Sequence, residues 1–356
     1  MSRELRFYAL TAIALALFPV IIHPIKGYPG LATQILIVGI GAMGFNLLLG
    51  YAGLLSYGQA MFFGVGSYAA LLTVSKFFPD HPNFWLAILI ATVFVTLMAF
   101  LIGLLVVRLY GIYFSLLTLA FAQMFFFLVF QWRDLTHGDD GLQGISAPPL
   151  WLGPLGSFDL SAALPAFDLG PFGNLSDVRW WYPFVAVVML LVIAFMRTLT
   201  RSQFGEVLDA IRENEERSTF IGFDPRSYKL AAFVIAGALT GLSGALKGLY
   251  ETSTSVETLN VEQSGNFVIY TVVGGVQTLF GPLVGTAVIM YLQNVVSGIT
   301  EAWRLIEGVV FVAVIVFLPT GILGILQRRK KKLSLGSALA TKKVLEPASA
   351  PRKAAP

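Results

Sequence analysis

Few side chains in this sequence have a type and spacing that could carry out chemistry. The chain has no cysteine and three histidines, which excludes disulfides and thiolate chemistry and disfavours a histidine-based metal site. One cluster holds metal-ligand residue types, but its spacing matches no established metal site and its flanking glycines indicate a turn. That cluster is Asp134, His137, Asp139 and Asp140. We recognise no carboxylate pair, histidine cluster or nucleophile of a catalytic kind, and therefore predict no metal site, no cofactor and no enzymatic activity.

A second group of polar residues is uncharged and lies in or near long apolar stretches. Amides and hydroxyls there are costly in lipid unless they pair with each other or face a cavity. Hydrogen bonding between helices is the ordinary explanation, and the lining of a polar path is the functional alternative. Our candidates for such a lining are Asn46, Ser56, Gln59, Ser115 and Thr118. Ser56 and Gln59 are preferred, because five glycines crowd residues 50–66, as in a broken or tightly packed helix beside a pathway.

A charged segment, residues 200–228, interrupts the apolar pattern and is called the elbow below. Its first part carries apolar residues at the helical spacing i, i+3, i+4, i+7. These residues are Phe204, Val207, Leu208 and Ile211. A second short helix is predicted to end at Gly222, a residue typical of a helix C-terminus. Because a plain connector needs only a few residues, we interpret the elbow as a segment built to dock into the groove of a partner.

The elements that position these residues follow from the composition. Of 356 residues, 56% are hydrophobic and 12% are charged, whereas a soluble domain has about 25% charged residues. No Asp, Glu, Lys or Arg occurs between Lys26 and Lys76, or between Glu262 and Glu301. A membrane-spanning helix needs about 20 apolar residues, and a charge at its centre costs about 2.5–3.5 kcal/mol. The predicted fold class is therefore all-α, in a polytopic membrane protein.

We predict about ten transmembrane helices, of which one or two are compatible with a re-entrant course instead. Their approximate ranges are 7–22, 32–50, 54–74, 84–107, 110–130, 180–199, 229–250, 266–280, 282–299 and 305–326. The positive-inside rule then predicts that both the N- and the C-terminus are cytoplasmic. Residues 1–327 form the membrane domain, with an outer loop at 131–179 and the elbow, 200–228, on the inner side.

The net charge of +4 does not indicate nucleic acid, because the basic residues lie near the ends of the spans and in the tail at 328–356. That tail is basic at its start and then rich in Ala, Ser, Pro and Lys, which is typical of a disordered cytoplasmic segment that contacts anionic lipid. The apolar N-terminal run lacks the small-residue cleavage site of a signal peptide, so we predict an uncleaved first helix.

Several motifs together resemble the permease subunits of ATP-binding-cassette importers. In that class a cytoplasmic helix with the pattern Glu-Ala-Ala, three residues and Gly seats in a cleft of the ATPase. This chain has Glu216-Arg-Ser-Thr-Phe-Ile-Gly222, with both alanines replaced. Other motifs, within residues 30–326, resemble the branched-chain amino acid permeases of the LivM family. They include Asn46-Leu-Leu-Leu-Gly-Tyr-Ala-Gly53, Gly58-Gln-Ala-Met-Phe-Phe-Gly64, Gly138-Asp-Asp-Gly-Leu-Gln-Gly144 and Phe280-Gly-Pro-Leu-Val-Gly285.

The resemblance implies an importer permease architecture in the bacterial inner membrane, with residues 131–179 as a periplasmic loop. It also implies a second homologous permease subunit, two cytoplasmic ATP-binding subunits and a periplasmic substrate-binding protein as partners. The residues expected to couple to the ATPase are Arg212, Glu213, Glu216, Phe220 and Gly222. The sequence has no Gly-Lys dipeptide and hence no Walker-type phosphate loop, so hydrolysis of ATP needs a partner. The uncharged path residues suit a zwitterionic substrate with an apolar side chain.

Two other functions stay open at this point. A permease of the same class could carry urea, amides or aromatic acids, because the binding protein largely sets specificity. A stand-alone secondary transporter or channel would need charged relays inside its spans. The charged residues that come near are Lys247, Glu301, Arg304 and Glu307, all close to span ends. That alternative also leaves the elbow unexplained, so an importer of branched-chain amino acids is the leading hypothesis.

Overall fold

The computed structural model describes residues 3–22, 30–78, 83–145, 181–300, 302–318 and 320–324. Within these ranges the regular structure is helical, apart from an isolated bridge between Leu142 and Thr254. The prediction of an all-α chain is confirmed. Most of the loop predicted at 131–179 and the whole tail at 328–356 lie outside the described residues.

Thirteen α-helices follow one another in the described part of the chain. The first seven are α1 (Arg3–Ile22), α2 (Leu31–Asn46), α3 (Gln59–Leu72), α4 (Phe84–Val106), α5 (Ile112–Gln131), α6 (Arg133–Thr136) and α7 (Trp181–Thr200). The others are α8 (Gln203–Glu213), α9 (Glu215–Phe220), α10 (Pro225–Glu251), α11 (Val261–Gly274), α12 (Gly281–Ser297) and α13 (Trp303–Phe317). Two π-helical segments, Leu47–Ala52 and Thr73–Phe77, extend α2 and α3.

Seven helical stretches in the described residues are long and apolar enough to cross a membrane. They are Leu31–Ala52, Gln59–Phe77, Phe84–Val106, Ile112–Gln131, Trp181–Thr200, Pro225–Glu251 and Trp303–Gly324. Three other segments predicted as spans are shorter: the apolar part of α1 is Arg6–Pro19, α11 has 14 residues and α12 has 17. A polytopic membrane protein is confirmed, and the count of ten spans stays a prediction.

Helices α2, α3 and α10 form the centre of the bundle, and α4 packs against α3 and α10. Glycines bring these backbones close together. A Cβ on Gly244 would lie 1.8 Å from the carbonyl oxygen of Phe63, and one on Gly66 would lie 2.3 Å from that of Gly241. Small residues at such contacts are a main means of packing helices in lipid, because lipid tails are as apolar as the side chains they touch.

The outer helices expose large apolar side chains, whereas α2 is buried on nearly every side. Leu101 on α4, Leu191 on α7 and Phe317 on α13 are 63%, 64% and 79% exposed. An apolar surface of this extent is unusual for a soluble monomer. In a bilayer it is the surface that acyl chains cover.

Helices α11 and α12 form a tight hairpin around the turn at residues 275–280. A Cβ on Gly274 would lie 1.7 Å from the carbonyl oxygen of Gly281. The turn contacts the elbow, because Gln277 Nε2 donates to Asp209 Oδ1 at 2.7 Å. The 14 residues of α11 span about 21 Å, which is less than the roughly 30 Å hydrocarbon core of a bilayer. The C-terminal end of α11 lies at the turn next to the elbow.

Candidate functional site

Helix α3 begins in the middle of the bundle, after six residues that are not helical. The π-helical end of α2 stops at Gly53, whose φ of 70° is left-handed, and residues 53–58 lead to Gln59 without helical structure. Gln59 contacts Thr240, near the middle of the 27-residue α10. We call residues 53–58 the interior break. The span predicted from about residue 54 thus becomes helical at Gln59. The glycines at both ends of the break and its side-chain hydrogen bonds favour a non-helical backbone before it, as the glycine crowding at residues 50–66 suggested.

Side chains from two other helices bind the backbone of the interior break. The Ser115 hydroxyl on α5 donates to the carbonyl oxygen of Leu55 at 2.6 Å. Thr118 Oγ1, also on α5, accepts from the Tyr57 N–H at 3.1 Å. Ser264 on α11 donates to the carbonyl oxygen of Tyr57 at 2.8 Å. Non-helical backbone at membrane depth persists where such groups replace the missing helical hydrogen bonds, and here neutral hydroxyls do so.

Two buried polar side chains lie at the start of α3. Ser56 Oγ accepts from the Gly58 N–H at 3.2 Å. Gln59 is fully buried, and its Oε1 accepts from Thr240 Oγ1 at 2.8 Å. Gln59 Nε2 has no hydrogen-bond partner among the described residues. Because buried polar groups are nearly always paired, an unpaired amide donor at membrane depth is a candidate contact for a polar ligand.

Asn46 lies apart from the interior break. Its Nδ2 donates to the carbonyl oxygen of Thr278 at 3.1 Å, and its Oδ1 accepts from the Gln277 N–H at 3.1 Å. Asn46 thus fastens the end of α2 to the turn between α11 and α12. The structure brings four of the five candidate path residues together and separates Asn46 from them. The four are Ser56, Gln59, Ser115 and Thr118.

Sequence reasoning missed Thr240 and Ser264, although both take part in this polar cluster. Each is a small polar residue beside a glycine in an apolar segment, and that was the available signal. Their partners lie 181 and 207 residues away along the chain. Spacing along the sequence carries no information about contacts at that distance.

The apolar stripe of α8 faces the chain's own membrane helices. Val207, Leu208 and Ile211 are buried, and the ring of Phe204 stacks on that of Tyr228 with 5.6 Å between centroids. The stripe is therefore used within the chain. This part of the elbow does not supply the partner-facing surface that the sequence suggested.

Two polar contacts join α8 to the membrane helices next to the interior break. Arg212 Nη1 donates to the carbonyl oxygen of Gly50 at 2.8 Å, and Asp209 Oδ1 accepts from Gln277 Nε2 at 2.7 Å. Gly53 leaves room for the arginine, because a Cβ there would lie 2.8 Å from Arg212 Cγ. Arg212, which the sequence suggested as an ATPase contact, thus binds the chain's own backbone.

The opposite side of the elbow exposes large apolar side chains to solvent. Phe220 is 91% exposed and Ile221 is 70% exposed. The predicted coupling residues Glu213 and Glu216 are exposed near them. The sequence-predicted coupling residues therefore divide into Arg212, which contacts the membrane helices, and the others, which face outward.

Gly222 ends α9 in a left-handed conformation with φ of 101°. The N–H groups of Gly222 and Phe223 donate to the carbonyl oxygens of Thr219 and Ser218 at 3.0 and 3.1 Å, the two hydrogen bonds of a Schellman cap. No atom lies within 4 Å of a Cβ placed on Gly222. The constraint on this position is thus its backbone conformation, which side chains with a Cβ rarely adopt.

An acidic cleft of about 760 Å³ lies between α9, the start of α10 and Tyr110. Carboxylates outnumber basic groups in its walls. The charged residues that line it are Glu213, Glu215, Glu216, Asp224 and Arg226. Beneath them the buried Lys229 pairs with Glu215 at 2.5 Å and lies 4.9 Å from the centroid of the Tyr110 ring. This partly buried pair fixes α9 on α10.

Charged side chains near the membrane spans are paired close to helix ends. Lys247 pairs with Glu251 at 2.7 Å, and Arg304 pairs with Glu262 at 3.1 Å. Glu307 accepts from Gln293 Nε2 at 2.9 Å, while Glu301 lies outside the described residues. The Lys247–Glu251 pair lies within α10, whereas the Arg304–Glu262 and Glu307–Gln293 contacts join α13 to α11 and α12. Within the described ranges, no three His, Asp or Glu residues come together as metal ligands.

Residues 28–318 match the family described as the permease component of the branched-chain amino acid transport system. The chain belongs to this family. The match covers every element of the interior break and the elbow. The match shows that the chain is a transport permease component. It confirms the family that the sequence motifs indicated.

Similar proteins extend this result. The chain is 26% identical over 347 residues to the high-affinity branched-chain amino acid transport system permease protein LivM of Escherichia coli strain K12, covering 95% of this chain and 78% of the relative. It is 25% identical over 345 residues to LivM of Salmonella typhimurium, with the same coverage. A probable LivH permease of Methanocaldococcus jannaschii is 25% identical over 161 residues, which is 41% of this chain and 49% of the relative. No solved structure matches.

Proposed function

We propose that this chain is the membrane-spanning subunit of an ATP-driven importer of the bacterial inner membrane, and that it forms the translocation pathway for branched-chain amino acids. The names of the LivM relatives describe high-affinity branched-chain amino acid transport permeases, which supports the cargo. Ser56 in the interior break and Gln59 at the start of α3 are both uncharged and buried, which suits a zwitterion with an apolar side chain better than an ion.

The observation that carries the proposal is the outward face of the elbow. Two adjacent large apolar residues, Phe220 and Ile221, are exposed at the end of α9, while the Gly222 cap and the Lys229–Glu215 pair hold that helix in place. A short helix that presents apolar anchors is the arrangement that fits a groove on a partner protein. We infer that the groove belongs to an ATP-binding subunit.

The partners follow from the same assignment. Two cytoplasmic ATP-binding subunits supply ATP hydrolysis, for which this sequence has no phosphate-binding loop. A second homologous permease completes the pathway, and a periplasmic substrate-binding protein delivers the cargo. The elbow and both termini are then cytoplasmic, and residues 131–179 are periplasmic.

The contacts of α8 offer a route from ATP hydrolysis to the pathway. When the ATP-binding subunit moves Phe220 and α9, α8 moves with them. Arg212 transmits that motion to Gly50, three residues before Gly53 at the start of the interior break. Asp209 transmits it to Gln277, which also binds Asn46. Motion of the elbow thus reaches the end of α2 by two routes, at Gly50 and at Asn46, both of which precede the interior break in the chain.

The experiment that tests this proposal compares two exposed phenylalanines on opposite sides of the membrane. Phe220→Asp removes the apolar anchor of the elbow, whereas Phe77→Asp changes a residue that is 65% exposed at the end of the segment following α3. Each full-length variant is co-expressed with its ATP-binding subunits and purified in mild detergent. We expect Phe220→Asp to lose the ATP-binding subunits and ATP-dependent leucine uptake, while Phe77→Asp retains the ATP-binding subunits.

A third variant tests the shape of the turn without changing the anchor. Gly222→Val forces a β-branched residue into the left-handed region and should abolish coupled uptake while the permease still inserts into the membrane. Recovery of normal amounts of ATP-binding subunits with Phe220→Asp would show that the elbow is not the coupling surface.

A further inference from the structure

An apolar groove runs along α1 where this helix meets α2, α7 and α12. The groove has a volume of about 480 Å³, which lies within the range of roughly 300–1,000 Å³ typical of small-molecule sites. On α1 its wall includes Phe7, Leu10, Ala14 and Phe18. These positions follow one face of the helix over about 16 Å, so the groove is elongated along α1.

The lining of the groove is apolar almost throughout. Among its thirteen lining residues Thr11 is the one with a polar side chain, and its hydroxyl donates to the carbonyl oxygen of Phe7 at 2.9 Å. The groove therefore offers nothing to a polar ligand along its length. It offers an acyl chain a long contact without unpaired polar groups.

A buried arginine lies at the elbow-side end of the groove. Arg197 Cζ is 3.7 Å from the centroid of the Phe7 ring, and Phe7 contacts Phe280 on the other wall. Arg197 Nη2 binds the carboxylate of Glu4 at 2.7 Å. Arg197 Nη1 is buried and has no hydrogen-bond partner among the described residues. A charged donor left unpaired in a buried place is costly, and an anion is the natural acceptor for it.

The charge around this end of the groove is positive. Arg201 is 66% exposed and lies 3.6 Å from Glu4, and Arg6, next to Phe7, is exposed. Arg197 and Arg201 thus both pair with the Glu4 carboxylate, and Arg6 adds a third basic residue near this end of α1. Basic pockets between membrane helices on the cytoplasmic side are typical sites for the phosphate head groups of anionic lipids.

We propose that this groove binds one anionic phospholipid, with an acyl chain along α1 and the head-group phosphate at the exposed Arg201, next to the buried Arg197. The lipid fills the space between α1, α2 and α12 and attaches the peripheral α1 to the bundle. The inference concerns this chain alone and does not depend on the cargo or on the ATP-binding subunits.

The test uses the full-length chain, purified in mild detergent and stripped of lipid. Phosphatidylglycerol, phosphatidylcholine and glycerol phosphate are each added, and native mass spectrometry and thermal unfolding report binding and stability. We expect a one-to-one adduct and a rise in Tm with phosphatidylglycerol that exceeds the effect of phosphatidylcholine. Glycerol phosphate, which has the anion without acyl chains, should have no effect.

Two variants and one control locate the site. Ala14→Phe fills the groove and should abolish the adduct, whereas Ile13→Phe adds an aromatic ring at a position that is 55% exposed and outside the groove. Arg201→Gln, at an exposed position, should weaken phosphatidylglycerol binding roughly fivefold, which corresponds to the ~1 kcal/mol that one basic residue contributes at an anionic lipid surface. Equal binding of the two phospholipids, or an unchanged adduct with Ala14→Phe or Arg201→Gln, would overturn the proposal.

Discussion

The interior break and the elbow both interrupt long apolar helices, but they bind their polar groups with different side chains. At the break, uncharged hydroxyls bind the backbone, as Ser115 and Ser264 do at 2.6 and 2.8 Å. At the elbow, charged groups make the contacts, as Arg212 does with Gly50 and Lys229 does with Glu215. The break buries Leu54 and Ser56, whereas the elbow leaves Phe220 almost fully exposed.

The difference follows from the solvent that each region meets. Placing a charge at membrane depth has a large free-energy cost. Short neutral hydroxyls can hydrogen-bond the N–H and C=O groups of non-helical backbone there at a lower cost. At the membrane surface, water and a protein partner lower that cost, and charged side chains can make longer connections. The break is thus suited to a neutral path, and the elbow is suited to contact with a soluble protein.

The largest effect on uptake is expected where a hydroxyl that binds the break is removed. Thr118→Val leaves the Tyr57 N–H buried without its acceptor, which costs about 1–3 kcal/mol and should also abolish uptake. The matched control is Thr96→Val, because the Thr96 hydroxyl binds only the carbonyl oxygen of Thr92 within its own helix. The loss of stability in Thr118→Val and in Thr96→Val is measured by denaturant unfolding of each variant in detergent. Similar losses for the two variants would show that the break does not depend on Thr118.

An intermediate effect is expected at the connection between the two regions. Arg212→Gln removes a hydrogen bond from a charged group to Gly50, a contact worth about 1.5–3 kcal/mol, and should lower uptake roughly tenfold. The ATP-binding subunits should still copurify and hydrolyse ATP, because Arg212 faces the membrane helices. Arg108→Gln, an exposed arginine on the same side, is the control. Loss of the ATP-binding subunits with Arg212→Gln would place Arg212 at the partner surface instead.

The smallest effect is expected at the cap of α10, on the outer edge of the elbow. The Ser227 hydroxyl and the Arg226 N–H donate to Asp224, and these hydrogen bonds hold the pKa of the Asp224 carboxyl below its usual value of 3.8. A lowered pKa stabilises the fold above the unfolded-state pKa, and this contribution is lost as the pH falls through the folded-state pKa.

Asp224→Asn keeps a capping side chain and removes the charge. We therefore expect its Tm to be slightly below that of the natural chain at neutral pH, and the difference to disappear as the pH falls below the pKa of Asp224. A difference in Tm that is the same at neutral and strongly acidic pH would contradict a role for the charge.

The sequence predicts the helices well because lipid imposes one rule on the whole chain. The charge-free windows, such as that between Lys26 and Lys76, mark the apolar helices, and the glycine crowding at residues 50–66 marks the break within one of them. The C-cap at Gly222 was also predictable, since it needs only local information. These features depend on neighbours along the chain.

Other features were not predictable because they depend on distant contacts. The same amphipathic pattern on α8 fits burial against a partner or against the chain's own helices, and only the packing of Leu208 distinguishes them. The direction of Arg212 and the roles of Thr240 and Ser264 likewise depend on residues far away in sequence. Nor does the apolar pattern indicate that α11 has only 14 residues, because the turn that begins at Gly275 ends it.

The hydrogen bond from Ser264 to Tyr57 has a consequence for how the protein is made. The two residues are 207 positions apart, so at about 5–20 residues per second Tyr57 leaves the ribosome roughly 10–40 s before its partner is synthesised. During that interval the carbonyl group of Tyr57 needs another donor, such as water or the insertion machinery. The hydrogen bonds that hold the start of α3 can therefore form in full only after α11 has been synthesised, which makes completion of the interior break a late step in folding.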